Sequence, residues 1–579
     1  MSAGSVWVAD FETTTEADYR KDGYVRVYLW HARELGSEQE RIGYDVGSFL
    51  DFCQEANEIW FHNLKFDGSY ILYRILEEGW ERSPKGIKGK DTYDLLVTDK
   101  GQWMNLILRF GKRYGRKNPH VVKVKDSAKK FPGFSLERIA SIYGIEGKSS
   151  LYLGYRGPDY VVTTEDIERV KGDTRILKVA MEDLFDCGMK ALTMAGDALA
   201  DYKSMIGEKQ FERWFPPLSV AEDEKARPGY GGGWTFVNPR WKGRELRNIH
   251  VYDVNSMYPG VMYDCPLPFG QGYRHRGEPM PDEVFITRFR ASFTLKKGRF
   301  PMIGAKKVFE FADPVYLTES DGVIDMTLTS VDYDLFLDSY DVDIIGKEDR
   351  TYYRAQKGMF KEYIDKWGTV KKECSEKGDT AGKERAKRYL NSLYGKFGQS
   401  PKKNRKVPYM SDKDTIAWEV VEEEKADSYL PIAMFVTSYA HRKILDMANA
   451  FGDRFVYADT DSVHVIGDEV PEGLDIDPVR LGAWKHESVS EMARYLRPKT
   501  YVHADGNRVL EDVKIAGCPD RCKEGVTWEN FRIGAEYPGK LSGDQVPGGY
   551  CLLETTFRIK IGNGGFGVVC DTEDCDYEG

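Results

Sequence analysis

The run Val456-Tyr457-Ala458-Asp459-Thr460-Asp461-Ser462-Val463-His464-Val465 decides how the chain is read. Two short runs of β-branched and aromatic residues flank Asp-Thr-Asp, the pattern of a hairpin whose tip carries Asp459 and Asp461. On an extended chain, side chains two apart point the same way. Two like charges pressed together beside apolar strands are costly unless a cation lies between them, and a divalent metal is the usual one. A solvated turn explains the same residues, so the rest of the chain must decide.

A chain of 579 residues is too long for one core and implies two to four domains. With 41% hydrophobic and 30% charged residues it reads as an ordinary soluble globular protein. No apolar run approaches the 18 to 20 residues of a membrane span. The N-terminus enters a strand pattern at once and lacks a signal-peptide layout, so the expected location is inside a cell. Nine scattered cysteines argue against a disulfide framework. A zinc site joining Cys518 and Cys522 to Cys570 and Cys575 is the alternative to reduced thiols, but no spacing matches a common zinc module. The net charge of -10 does not itself point to nucleic acid. It still permits a basic groove beside carboxylate-rich sites, and Lys112 to Lys130 and Lys402 to Lys406 are locally basic.

Near the N-terminus, Val6 to Thr13 is a strand pattern with Asp10 and Glu12 on one face. Ile59 to Asp67 is a second apolar run ending in polar groups, including His62 and Asn63, and Thr164-Glu165-Asp166 opens a helix pattern that contains Asp173. Four carboxylates from three elements are the inventory of a two-metal nuclease. Solvent-facing acids on an edge strand are the alternative for the first pair.

Tyr230-Gly231-Gly232-Gly233-Trp234 lets a backbone approach a bulky partner such as a phosphate chain, or simply turns between strands. Ile249 to Asp253 is a strand that leads into a turn or helix start, where free backbone N–H groups suit a triphosphate. Tyr258 could then lie under a nucleotide sugar, or be an ordinary core tyrosine. Cys265 to about Phe360 reads as a β-containing insertion, followed by two helices around a charged stretch. On the second helix Lys387, Asn391 and Tyr394 share one face, and the helix is expected to stop at Gly395. Val407 to Val421 reads as an exposed hairpin and Leu430 to Phe451 as a buried helix. Arg494, Arg497, Lys499 and Tyr501 are a basic, aromatic cluster, and the end reads as a flexible acidic tail.

In that order, Asp253-x-x-Ser256-x-Tyr258-Pro259, Lys387-x-x-x-Asn391-Ser392-x-Tyr394-Gly395 and Tyr457-x-Asp459-Thr460-Asp461-Ser462 resemble the three polymerase motifs of family B DNA polymerases. Lys499-x-Tyr501, Tyr230-x-Gly232-Gly233 and the two insertions resemble the protein-primed branch, over nearly the whole chain. The resemblance implies an α+β multidomain fold: an RNase H-like 3′-5′ exonuclease domain plus a right-hand polymerase of palm, fingers and thumb. The implied divisions are 1–193 exonuclease, 194–264 and 425–534 palm, and 360–398 fingers. The insertions at 265–359 and 399–424 are placed like terminal-protein regions 1 and 2, and 535–579 holds the thumb and an acidic tail.

The resemblance also implies roles. Asp253 and Asp461 hold the polymerase metals with the Val254 carbonyl, and Asp459 lies close by. Lys371 and Lys387 meet the triphosphate beside Asn391, Tyr258 is the sugar gate and Tyr394 packs at the nascent base pair. Lys499 and Tyr501 hold the primer end, and Tyr230, Gly232 and Gly233 meet DNA. Asp10, Glu12, Asp67 and Asp173 are the exonuclease carboxylates. Thr13, His62, Asn63, Phe66 and Ser127 bind the single-stranded end, and Lys148 supports the scissile phosphate.

Two Mg²⁺ per site, or Mn²⁺ in their place, are the implied cofactors. Primer-template DNA, deoxynucleoside triphosphates and a terminal protein primer are the implied partners of a monomer that touches no membrane. The implied task is processive, strand-displacing replication of a linear phage-type genome, in the cytoplasm of an infected bacterium. Four departures stand out: Arg169 where the family carries Tyr four residues before its Asp, Gly231 where the glycine turn carries Arg, extra residues near Cys374 to Asp379, and a tail after Lys560 with no family counterpart. A nucleotide-sugar glycosyltransferase would explain Asp459 and Asp461 but not the Lys387 helix. A non-catalytic DNA-binding scaffold would need none of the carboxylates.

Overall fold

Strand Val6–Thr13 is central to the first of two sheets that position the carboxylates. In this computed structural model, residues 5–111, 120–147, 154–305, 314–412, 415–425, 427–537, 550–553, 558–562 and 565–569 are described. The chain divides into two compact units, one of residues 1–208, 365–396 and 400–427, the other of 209–364, 397–399 and 428–579.

In the first unit, Val6–Thr13 runs parallel to Glu58–Phe61, which runs parallel to His120–Asp126. Its other neighbour, Val27–Glu34, is antiparallel. Every second residue of the first strand enters an aromatic core, where Phe11 meets Phe49 and Phe61 edge-on at ring distances of 4.8 and 5.1 Å. Each such ring removed from water contributes about 1.5–3 kcal/mol. Helix Thr164–Asp186 packs across these strands and begins with a capping box between Thr163 and Asp166. The N-cap is thus Thr163, and Thr164 is the first residue of the helix.

Strands Lys402–Met410 and Ile416–Glu424 form an antiparallel hairpin that adds to the same sheet through Arg405↔Thr98 and Lys406↔Val97. The buried Arg405 guanidinium anchors it, donating to the Leu95 carbonyl at 2.6 Å and to Asp94 at 2.7 Å. Helices Lys361–Lys377 and Thr380–Phe397 are held together by Trp367 against Tyr389, with ring centroids 4.1 Å apart. The second helix does not stop at Gly395. Leu393 and Phe397 both bury on its inner face, so packing carries the helix through the glycine.

The second unit is built on a seven-stranded antiparallel sheet. Its middle strands are Trp484–Arg497, Leu246–Val254, Ser462–Ile466 and Phe455–Asp459. Helix Leu430–Phe451 is apolar on most sides and is buried accordingly, with Pro431 in its first turn, where the missing N–H costs nothing. The insertion carries a four-stranded sheet, as its alternating runs suggested, and helix Ser330–Ser339. Near the C-terminus, Arg558–Gly562 pairs with Gly565–Val569 where a flexible tail was expected. The two residues between these strands are Asn-Gly, a strong hairpin signal. Residues 570–579, with Cys570 and Cys575, lie outside the described residues. Among the described residues no cysteine is in a disulfide, and no helix is long and apolar enough to cross a membrane.

Candidate active sites

In the second unit, strand pairing brings the distant motifs together. Asp253 lies opposite Ser462, and the Val254 N–H donates to the Asp461 carbonyl at 2.8 Å. The Asp-Thr-Asp tip is not extended, however. Thr460 has φ 62°, and the Asp461 N–H folds back onto the Asp459 carbonyl at 2.6 Å, so the alternation argument does not apply to this pair.

The two acids therefore sit in different surroundings. One oxygen of Asp459 accepts from Lys499 Nζ at 2.6 Å, Thr235 Oγ1 at 3.0 Å and Thr460 Oγ1 at 3.2 Å. Burial raises the Asp461 carboxyl above the usual range, and the Asp459 charge adds to the effect. Asp461 thus has the stronger demand for a cation. Lys499 is itself held at φ 55°, its N–H donating to the Tyr457 hydroxyl at 3.0 Å. Behind Tyr457 and Tyr501 runs a buried chain from His464 through Tyr495 to His503, with links of 2.8 and 2.9 Å. Burial holds His503 down at about 4, so this support is uncharged at neutral pH.

Tyr258 is half-buried and packs against the cluster of Trp234, Tyr252 and Met257, a core role that leaves part of the ring exposed. It lies on helix Met257–Asp264, which starts after Ser256 at φ 49° with no side-chain cap. Tyr230 to Gly233 is an irregular segment leading into strand Thr235–Val237, and Gly232 and Gly233 line one cavity with Thr460 and Lys499. The Trp234 carbonyl accepts from the Thr460 N–H at 2.8 Å.

In the first unit, Asp10, Glu12 and Asp173 can each place an oxygen within 4.8 Å of the others. Among the described residues this is the one such group of three, so Asp253, Asp459 and Asp461 do not form another. Asp67 is not in the group but stands behind it: its carboxylate accepts from the Phe11 N–H, between Asp10 and Glu12, at 3.2 Å. Burial pushes Asp67 up to about 8 against its backbone hydrogen bonds, with Asp126 and Glu12 adding to the rise. Arg169 brings its Nε to 3.1 Å from Glu12, so the departure noted in the sequence is a cation on the carboxylate group itself.

His62 accepts from the Ser127 hydroxyl at 3.0 Å and donates to the Phe134 carbonyl at 2.9 Å, which ties the two expected ligands to each other. Asn63 adopts φ 69° and donates its N–H to Asp126 at 3.0 Å. Thr13 is half-buried and hydrogen-bonds Tyr70. Phe66 is 48% exposed. Together with Asn63, Tyr70, Tyr73, Tyr19 and Tyr24 it lines a groove of about 1180 Å³. The sequence reading missed these tyrosines, although Phe66, Tyr70 and Tyr73 keep one helical face. Lys148 lies outside the described residues.

Lys387 and Asn391 are exposed and Tyr394 half-exposed on one face of their helix. Burial lowers the Lys371 ammonium, and the Lys387 and Lys383 charges lower it further, so a poly-anion would relieve a local cation excess.

Residues 155–475 match the family of DNA polymerases described as type B, organellar and viral. The chain belongs to that family. The DNA polymerase of Bacillus phage Nf is 36% identical to it, over 95% of this chain and 99% of that one. The DNA polymerase of Bacillus phage phi29 is 35% identical over 96% and 99%. A solved phi29 DNA polymerase complexed with primer-template DNA superposes with a TM-score of 0.84 at 32% identity, covering 95% and 99%. This type B polymerase thus has the α+β multidomain fold that its motifs implied.

In this polymerase Gly233 has a packing reason to be glycine. A Cβ there would lie 2.7 Å from Thr460 Cγ2 and Oγ1. Thr460 is stiff at χ1 and cannot yield without moving Asp459 or Asp461. Gly233→Ala is expected to lower the single-nucleotide incorporation rate roughly 10²-fold, the scale of an ångström-sized misplacement. Gly231→Ala, whose Cβ would meet His441 at an ordinary 3.5 Å, is the comparison and should lose far less.

Proposed function

We propose that this DNA polymerase is protein-primed, displaces the strand ahead of it and edits its product with the N-terminal carboxylate site. The observation that carries the synthetic half is the pairing of Asp253 with the Asp459–Asp461 turn, locked by the Val254-to-Asp461 hydrogen bond. Asp253, Asp461 and the Val254 carbonyl offer only oxygen donors, as do Asp10, Glu12 and Asp173, which suits hard divalent cations. Two Mg²⁺ per site, or Mn²⁺, would supply charge neutralisation and a more acidic nucleophile.

The chain's own residues do the positioning. Asp461 and Asp253 hold the reacting phosphate's counter-charge, and Asp459 orients Lys499 toward the primer end beside Tyr501. Lys371 and Lys387 bind the triphosphate, Tyr258 excludes a 2′-hydroxyl and Tyr394 packs on the base pair. At the second site Thr13, Asn63 and Phe66 hold an unpaired 3′ end, His62 fixes Ser127, and Asp10, Glu12, Asp67 and Asp173 serve hydrolysis. Related solved structures hold primer-template DNA, with or without incoming nucleotide. The same ligands are proposed here, together with a terminal protein as first primer and a phage-infected bacterium as setting.

The test is extension of a primed single-stranded circle with deoxynucleotides, Mg²⁺ and no helicase. Products many circle lengths long are expected; arrest after one round would remove strand displacement from the reading.

A further inference from the structure

We infer that His441 is a positioning residue for nucleotide incorporation: it bridges Asp332 in the insertion to the backbone of the Tyr230–Gly233 turn, and so couples helix Ser330–Ser339 to the Asp459–Asp461 turn. The inference rests on the assignment of Asp461 to the polymerase centre.

The bridge is made of two bonds. His441 Nε2 lies 2.6 Å from the Gly232 carbonyl oxygen, and Nδ1 lies 3.3 Å from Asp332 Oδ1. A carbonyl and an ionised carboxylate only accept, so both ring nitrogens must donate, which only the imidazolium can do. The carboxylate end is fixed in turn. The Ser438 hydroxyl donates to Asp332 Oδ2 at 2.5 Å, and Thr329 Oγ1 accepts from the Asp332 N–H at 3.2 Å. Asp332 is buried at the start of its helix, so its charge has little water to screen it.

The other end of the bridge reaches the acids in two further contacts. Gly233 is the residue a Cβ would drive into Thr460, and the Trp234 carbonyl holds the Thr460 N–H at 2.8 Å. A shift of the Gly232 carbonyl is therefore passed to the residue between Asp459 and Asp461. His441, Gly232, Thr460, Lys499 and Tyr316 line one cavity of about 540 Å³, so the bridge borders the space beside the primer-end lysine.

Charged and titratable groups lie near the His441 ring. Asp332 faces it from the insertion helix, and Tyr316 and Lys499 border the cavity. On its own helix Arg442 turns away to Asp338 and Asp446. Burial alone would lower the His441 pKa, but the Asp332 charge and the two hydrogen bonds together raise it above the ordinary value. Above that pKa the neutral ring can donate only once, and one end of the bridge is lost.

The test measures single-nucleotide incorporation and primer-template affinity from pH 6 to 9 for wild type, His441→Gln, His441→Arg, Asp332→Asn and Asp461→Ala. Each rate is divided by that of His441→Arg, whose permanent cation can keep both bonds. This ratio cancels the pH dependence of the chemistry itself. His441→Gln should be slower at pH 6, by about 10- to 100-fold, the scale of an outer supporting group, with DNA affinity unchanged. The wild-type ratio should fall as pH rises, and Asp332→Asn should move that fall to lower pH. A flat wild-type ratio, or His441→Gln equal to wild type at pH 6, overturns the inference. Rescue of the Gln defect by Arg separates positioning from a general folding role. Incorporation retained by Asp461→Ala would instead overturn the site assignment on which the inference rests.

Discussion

Asp461→Ala is expected to remove nucleotide incorporation by more than roughly 10³-fold, since a metal-held transition-state charge is worth several kcal/mol. The substitution deletes a buried carboxylate whose charge a divalent cation would offset, whereas Asp459 already has Lys499 beside it. It leaves the backbone bond from Val254 to the Asp461 carbonyl available, so the turn has no reason to collapse. Asp459 makes the useful contrast. Its carboxylate already satisfies Lys499, Thr235 and Thr460, so Asp459→Asn keeps an acceptor for all three and should cost less than Asp461→Asn. Rapid-quench incorporation on a primer-template, with affinity for the same DNA measured in parallel, reads both effects. Equal losses in the two asparagine variants would reverse the ranking of the acids, and incorporation by Asp461→Ala would refute the role.

What the sequence disclosed here was mostly periodicity and order. The strands around Asp253 and Asp461 are short runs of β-branched and aromatic residues that bury almost continuously, and the Lys387 face follows the helical repeat, so both are legible in the sequence. The local errors have local causes. The sequence pattern puts Asp459 and Asp461 on one extended face because nothing in the composition of a threonine announces φ 62°. Gly395 has the composition of a helix end, but Leu393 and Phe397 bury in the folded chain and carry the helix past it. The remaining gaps concern pairs far apart in sequence. Arg169 was visible as an unusual residue, but its contact with Glu12 depends on helix Thr164–Asp186 crossing strand Val6–Thr13. His441 showed no signal at all: its partners are separated from it by 109 and 209 positions.

The second large effect concerns the N-terminal site. Asp10→Ala combined with Asp67→Ala is expected to abolish metal-dependent 3′-5′ degradation of single-stranded DNA, again by more than roughly 10³-fold, while primer extension continues. Asp10 is one of three acids able to share a cation, and Asp67 holds the Phe11 N–H between Asp10 and Glu12, so the pair removes both a ligand and the support of its strand. Degradation that persists in the double variant would sink the nuclease assignment. On the proposed nuclease reading, Arg169 tunes the metal demand of the site. Its guanidinium, 3.1 Å from Glu12, offsets part of the negative charge that draws a divalent cation to the site. It could also stabilise the scissile phosphate once the cation is bound, which a phenol does less well. These two effects separate in a metal titration. Arg169→Tyr should reach half-maximal degradation at a lower Mg²⁺ concentration, because the competing cation is gone. Its maximal rate will then report how much the guanidinium contributes to catalysis. An unchanged Mg²⁺ midpoint would mean that Arg169 and the metal do not compete for Glu12.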